Sequence, residues 1–115
     1  MEKCKTLQEL HMEYSVTRRA VQGYEKAGLV TASGKNKYGH LLYDESAQKR
    51  IVRIKLYQQM GFTIKEIQLL IDAPAAQVKA ALELQIARLK EERTNMDKLI
   101  EKAYELLQAL EKDYK

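Results

Sequence analysis

The chain has 115 residues, with 20 Lys and Arg against 16 Asp and Glu, which gives a net charge of +4. This length allows one domain, or a small domain plus one extended element, with only a modest core. The single cysteine, Cys4, excludes an internal disulfide and a thiolate metal cage. Because no apolar run is as long as a membrane span and the first residues lack a signal-peptide core, we expect a cytoplasmic protein with no membrane partner.

The positive charge is concentrated in the first part of the chain. Residues 1–74 hold 12 basic and 8 acidic side chains, whereas residues 75–115 hold 8 of each. Within residues 16–55 there are nine basic and three acidic side chains. This local excess favours a polyanionic partner. A merely solvated basic face would have the same composition, so the count alone leaves both interpretations open.

Two short helices at the start of the chain predict a helix-turn-helix. Thr6 opens the first with a capping box, and this helix extends to Glu13. Thr17 is suited to cap the second, and Gly28 to end it. The turn between them is short, and cationic and amide side chains gather at the start of the second helix. This pattern is typical of a recognition helix that enters the major groove of double-stranded DNA.

The second helix carries the first predicted DNA contacts. Arg18, Arg19 and Gln22 share one side of it, while Val21 and Tyr24 can turn inward. Arginine matches guanine and glutamine matches adenine in the major groove, so we expect the first three at base edges or nearby phosphates. The Tyr24 hydroxyl is a candidate for the DNA backbone. The predicted DNA-binding residues of this helix and its cap are therefore Thr17, Arg18, Arg19, Gln22 and Tyr24.

Residues 31–43 predict a small β-hairpin. Gly34 and Gly39 interrupt the segment, and residues 41–43 favour extended structure. Since it follows the recognition helix directly, we interpret it as a wing that lies along DNA phosphates, with an ordinary polar hairpin as the alternative. Its predicted DNA contacts are Lys35, Lys37 and Tyr38.

Two more helices supply the rest of the predicted core. Asp44 caps one that extends from Glu45 to Met60, and Thr63 opens the next with a second capping box. On the first of these helices, Arg50 and Arg53 are weaker candidates for DNA contact. Helical spacing predicts burial of Ala47, Ile51, Ile54, Tyr57 or Gln58, Ile64, Ile67, Leu70 and Ile71.

A long helix free of glycine and proline is predicted from Ala75 to about Tyr114, after Pro74 marks a boundary between domains at 1–73 and 74–115. Such a helix spans roughly 60 Å and cannot bury its apolar seam alone. Heptad spacing predicts a coiled coil with a second copy, hence a two-fold homodimer, with a helix folded back on its own domain as the alternative. The polar Arg93 would fix register at a cost in stability. The predicted dimer contacts are Leu82, Ile86, Leu89, Arg93, Met96, Ile100, Ala103, Leu107 and Leu110.

This order of elements resembles that of the MerR family of bacterial transcription regulators. The segments that carry the resemblance are Val16, Thr17 and Arg19 leading into Tyr24-Glu25 and Gly28-Leu29, then Leu42-Tyr43-Asp44-Glu45, and the run from Gly61 to Ile67. The resemblance implies a mostly α fold, with a winged helix-turn-helix domain followed by a long dimerisation helix in an antiparallel coiled coil. It also implies a homodimer that binds a palindromic operator in a long promoter spacer. Such a regulator undertwists the DNA for RNA polymerase under the control of an effector.

The sequence departs from the family pattern at two places. Family members typically have an arginine and two tyrosines where this chain has Gln22, Gly23 and Tyr24, and commonly an arginine where it has Leu41. Each replacement removes a potential phosphate anchor, for which other cations and His40 can compensate. A glycine inside a helix costs roughly 0.5–1 kcal/mol relative to alanine, which suggests a close approach of the Gly23 backbone to DNA.

The nature of the effector stays open. Metal-responsive relatives place cysteines around the dimer helix, but Ala75 and Ala76 occupy its start and no cysteine follows. We therefore expect no metal, no iron-sulfur cluster and no other cofactor. A small molecule bound between the two domains, another protein, or no effector at all are the alternatives.

Two other classes of function remain as alternatives to a regulator. An architectural protein would use the same DNA-binding domain without promoter control, and a coiled-coil adaptor would use its basic domain to bind an acidic protein. An enzyme is not expected, since the sequence has no nucleophile-base-acid set and no phosphate-binding loop.

Overall fold

The computed structural model describes residues 3–113. Along this part of the chain the elements are α1 (Leu7–Tyr14), α2 (Arg18–Lys26), β1 (Gly34–Lys35), β2 (Leu41–Leu42), α3 (Glu45–Gln59), α4 (Ile64–Leu70) and α5 (Ala75–Asp113). They divide into two units, Met1–Pro74 and Ala75–Lys115. The predicted class, a mostly α winged helix-turn-helix followed by a long helix, is confirmed.

The helix-turn-helix is defined by contacts at the ends of α1. The Thr6 backbone N–H donates to Glu9 Oε1 at 3.1 Å, and the Glu9 N–H donates to Thr6 Oγ1 at 3.3 Å, which completes the predicted capping box. At the other end Ser15 is left-handed, with φ 56°. Lys55 of α3 donates its Nζ to the carbonyls of Tyr14 and Ser15, at 2.7 and 3.0 Å. The turn is therefore tied to α3.

The predicted hairpin is present, and its strands are short. β1 and β2 are antiparallel, with Gly34 opposite Leu42 and Lys35 opposite Leu41. Just beyond β2, Tyr43 exchanges two backbone hydrogen bonds with Lys5. This bridge joins the base of the wing to the segment that precedes α1.

The core of the first unit combines residues from α1 to α4. The largest side chains that are completely buried are Leu10, Val21, Tyr43, Ile51, Ile54 and Ile67. The predicted inward positions of α3 are confirmed, with Tyr57 buried and Gln58 exposed. On α4 the structure buries Ile67 and Leu70 and leaves Ile64 and Ile71 half-buried.

The helix α5 has 39 residues, Ala75–Asp113, and is about 58 Å long at 1.5 Å per residue. The long helix predicted from the sequence is confirmed over this range, and Tyr114 lies outside the described residues. Within residues 3–113, no helix combines the length and apolarity that crossing a membrane requires.

Candidate nucleic-acid interface

The two faces of α2 differ as the sequence predicts. Thr17 Oγ1 accepts a hydrogen bond from the Ala20 N–H at 3.0 Å and thereby caps the helix. The side chains of Arg18, Arg19 and Gln22 are exposed, whereas Val21 is 1% exposed. The polar residues at the start of α2 are therefore free to meet a ligand, and the apolar residues fix the helix to the core.

A groove of about 260 Å³ lies between the start of α1, the exposed side of α2 and the wing. Arg18 and Gln22 of α2 line it, as do Gln8 of α1 and His40 of the wing. Four side chains that can donate hydrogen bonds thus come together from three separate elements. This is the point at which the structure joins the recognition helix to the hairpin.

The tip of the wing exposes its cations and is closed by one side chain. Asn36 Oδ1 accepts from the backbone N–H groups of Tyr38 and His40, at 2.9 and 3.0 Å. Tyr38 is 72% exposed, and Lys37 Nζ lies 5.2 Å from the centre of its ring. Lys35 is exposed as well. The predicted wing contacts Lys35, Lys37 and Tyr38 are therefore all accessible.

Tyr24 is in the core and not on the interface. It is 2% exposed, and its Oη donates to Gln58 Oε1 at 2.6 Å. Burial raises its pKa. Tyr43 is similarly buried and donates to Glu25 Oε1 at 2.5 Å, and burial together with that carboxylate raises its pKa above the usual range. The Tyr24 hydroxyl therefore has its partner inside the domain and does not reach the surface where the sequence placed it as a DNA contact.

The two arginines of α3 have different surroundings. Arg50 Nε donates to the Leu29 carbonyl at 2.5 Å, and its Nη1 and Nη2 donate to the two Asp72 oxygens at 2.6 and 2.9 Å. This bidentate pair lowers the pKa of Asp72. Arg53 is exposed, and its hydrogen bond from Nη1 to the Tyr57 hydroxyl is long at 3.5 Å. Arg50 therefore acts inside the domain, and Arg53 stays available to an external ligand.

Two other residues of the groove are Gln8 and His40. The sequence predicts His40 only as a compensating phosphate anchor, and it does not predict Gln8. Gln8 has no signal in the sequence, because only the tertiary fold brings the start of α1 to the recognition helix.

The predicted dimer residues form an exposed stripe on α5. Within the single chain, the exposed fractions of the large apolar members other than Leu82 are between 38% for Leu89 and 59% for Met96. Arg93 and Ala103 are also exposed, and Leu82 is partly buried. The other members, exposed at 48–55%, are Ile86, Ile100, Leu107 and Leu110.

The comparison with protein families identifies the chain. Its residues 5–74 match the family model for MerR HTH family regulatory proteins. The chain belongs to the MerR family.

Two curated MerR-family relatives illustrate the extent of the similarity. The chain is 34% identical over 70 residues to the HTH-type transcriptional activator TipA of Streptomyces coelicolor, which covers 61% of this chain and 28% of TipA. It is 29% identical over 86 residues to the HTH-type transcriptional activator mta of Bacillus subtilis, which covers 75% of this chain and 34% of mta. The chain thus spans about a third or less of these relatives.

Solved structures of MerR-family proteins share the fold. MtaN, the N-terminus of the Bacillus subtilis multidrug transporter activator, has a TM-score of 0.69 at 25% identity, covering 90% of this chain and 97% of that one. HiNmlR, a MerR family regulator that lacks the sensor domain and is bound to promoter DNA, has a TM-score of 0.72 at 14% identity, with coverages of 86% and 80%. The second likeness concerns the fold alone.

Proposed function

We propose that this MerR-family chain is a dimeric, sequence-specific DNA-binding transcription regulator. The groove that joins Arg18 and Gln22 of α2 to His40 of the wing carries the proposal, because it aligns a polar recognition helix with a cationic hairpin. The excess of nine basic over three acidic side chains in residues 16–55 supports a polyanionic partner. A structural neighbour with the same fold is bound to promoter DNA.

In this proposal the two elements of the interface have separate tasks. Arg18, Arg19 and Gln22 read base edges in the major groove, where arginine pairs with guanine and glutamine with adenine. Contacts from Lys35, Lys37 and Tyr38 to phosphates set the orientation of the domain and supply much of the salt-dependent affinity. Gln8 and His40 line the groove between these two sets, and Arg53 is a weaker phosphate contact.

The exposed stripe on α5 supports the proposal of a homodimer. A helix of this length that leaves Met96 59% and Leu110 55% exposed requires a partner to remove its apolar seam from water. A second copy in an antiparallel coiled coil is the partner that we propose. Because a two-fold dimer presents two identical recognition helices, its operator consists of two symmetric half-sites.

The regulatory step that we propose is a distortion of promoter DNA. The dimer binds between the two promoter elements and undertwists the spacer, so that RNA polymerase can engage both elements. Bending and twisting a site of this size costs several kcal/mol, which contacts at the two half-sites offset. The names of TipA and mta, both transcriptional activators, support a role at promoters. Which effector controls the step stays open.

Footprinting on the DNA around the gene, with and without RNA polymerase, tests this function. We expect two symmetric protected half-sites between the promoter elements and enhanced cleavage at the centre. An Arg19→Ala variant should lose about 1–3 kcal/mol of operator affinity, roughly 5- to 150-fold, and remain a folded dimer. Arg88→Ala, which removes the same charge from an exposed position of α5, is the matched control and should bind normally.

Each alternative function predicts a different result with DNA. Protection of many unrelated sequences with little effect on transcription would indicate an architectural protein. An absence of steep salt-dependent affinity for duplex DNA would indicate an adaptor. Equal affinities of the Arg19→Ala variant and the native chain would remove Arg19 from the interface.

A further inference from the structure

A second cavity, of about 650 Å³, lies in the first unit apart from the groove of α2 and the wing. It opens between the segment that precedes α1, the C-terminal end of α1 and one face of α3, and it shares no lining residue with the groove. Its volume falls within the ~300–1,000 Å³ that is typical of small-molecule sites. Of its lining residues, the DNA-binding proposal uses Arg53 alone, as a weaker phosphate contact.

The floor of the cavity is apolar. Val52 and Leu56 are one helical turn apart on α3, and they are 40% and 44% exposed. The half-buried ring of Tyr14 lies on the α1 side. A ligand that removes these half-exposed apolar side chains from water is stabilised by their burial.

The rim of the cavity is cationic. Lys49 and Arg53 stand one turn apart on α3, and Lys3 lines the cavity from the segment that precedes α1. Among residues 3–113, none of these three cations has a carboxylate partner. Lys5 differs, because it pairs with Glu13 and lies 5.1 Å from the centre of the Tyr14 ring. One acidic residue, Glu45, lines the cavity, so the unpaired charge around the floor is predominantly positive.

The walls of the cavity are held together by internal hydrogen bonds. The buried Gln48 donates its Nε2 to the carbonyls of Lys3 and Tyr43, at 2.7 and 2.8 Å. Lys55 fixes the end of α1 through the Tyr14 carbonyl. A ligand therefore meets a preformed shape and does not have to order these segments as it binds.

We propose that this cavity binds a small amphipathic organic anion. The ligand has an aromatic or aliphatic body that covers Val52 and Leu56, and one carboxylate or sulfonate that meets Lys49 and Arg53. An inorganic anion would leave the apolar floor in water, and a neutral apolar molecule would leave the cations without a partner. The combination of the two surfaces selects a molecule that carries both groups.

Two fluorescent probes with the same aromatic body test the charge requirement on the full chain. The anion 8-anilino-1-naphthalenesulfonate carries a sulfonate, and N-phenyl-1-naphthylamine lacks it. We expect saturable binding of the sulfonate, with an affinity about tenfold higher than that of the neutral probe. Equal affinities of the two probes would overturn the proposal.

Matched variants test the location of the site. Leu56→Gln and Lys49→Gln should each weaken sulfonate binding by about three- to tenfold. The first replaces an apolar side chain of the floor by a polar one, and the second removes a positive charge from the rim. Leu69→Gln and Lys65→Gln are the controls: both residues are exposed on α4 and neither lines the cavity. Circular dichroism verifies that all four variants remain folded. Equal losses in controls and test variants would contradict the assignment.

A second copy of the chain is the competing occupant of this surface. In that case the full chain would fail to bind the sulfonate, and Leu56→Gln would weaken self-association in analytical ultracentrifugation. That outcome would replace the proposed ligand site with an interface between copies. Because no readout involves DNA, the site can fail while the proposed regulatory function stands, and the reverse is equally possible.

Discussion

Two glycines near the end of α2 provide a sharp test of the physical reasoning, since alanine at each should change stability in opposite directions. A Cβ at either Gly23 or Gly28 would have no heavy atom within 4 Å, so steric clash does not distinguish them. Gly23 is inside the helix, whereas Gly28 has a φ of +74°. Gly23→Ala should therefore stabilise the fold by about 0.5–1 kcal/mol, and Gly28→Ala should destabilise it by about 1–2 kcal/mol.

Thermal and urea unfolding of the full chain measure both effects. At equal protein concentration, Gly23→Ala should raise Tm by about 2–6 °C and Gly28→Ala should lower it by a similar or larger amount. Changes in the same direction would refute the reasoning, because the two sites differ in backbone conformation and not in available space.

The Gly23→Ala variant also tests why a glycine occupies the exposed side of α2. If the α2 backbone approaches DNA closely at Gly23, the added methyl group should lower operator affinity even though it stabilises the protein. Full retention of affinity would eliminate close approach as the reason for Gly23 and leave the stability prediction intact.

Three further outcomes are expected. The pKa of Tyr43 is raised in the folded state, so the stability that its neutral hydroxyl contributes is complete below pH 10 and is lost as the pH rises through the folded-state pKa. Phenylalanine cannot ionise. The free energy of unfolding of Tyr43→Phe should therefore fall less steeply with pH in alkaline titration. Arg50→Lys should lower Tm because lysine cannot form the bidentate contact with Asp72. The folded-state pKa of Asp72 is lowered from 3.8, so this contact is lost when Asp72 becomes protonated in acid. The difference in Tm between the variant and the native chain should therefore shrink at low pH. Ile100→Asp should produce monomers in sedimentation while circular dichroism stays helical, and a dimer that survives it would exclude the proposed seam.

The features that the sequence predicted best depend on neighbours along the chain. Thr6 and Thr63 each cap a helix through a partner three residues away, and Gly28 ends α2 in the left-handed conformation that glycine adopts readily. The inward face of α3 follows the helical period in the same way. Spacing alone was therefore enough to locate these helices.

The sequence allowed Tyr24 to turn inward, but it could not predict hydrogen-bond partners that are distant along the chain. The partner of Tyr24 is Gln58, 34 residues away, and Arg50 bridges to Leu29 and Asp72, 21 and 22 residues away. In the sequence, a tyrosine or an arginine close to a basic helix is indistinguishable from a residue that contacts phosphate. Only the tertiary fold shows that these polar groups already have partners.

The closed tip of the wing has a kinetic consequence. A hairpin with two residues in each strand is too short to be stable alone, yet the Asn36 side chain accepts two backbone amides and fixes the tip. If the wing contacts DNA as proposed, Lys37 and Tyr38 meet the duplex from a backbone that these hydrogen bonds already hold. Little conformational entropy remains to be lost on contact, and the encounter rate then depends on diffusion and charge instead of on loop folding.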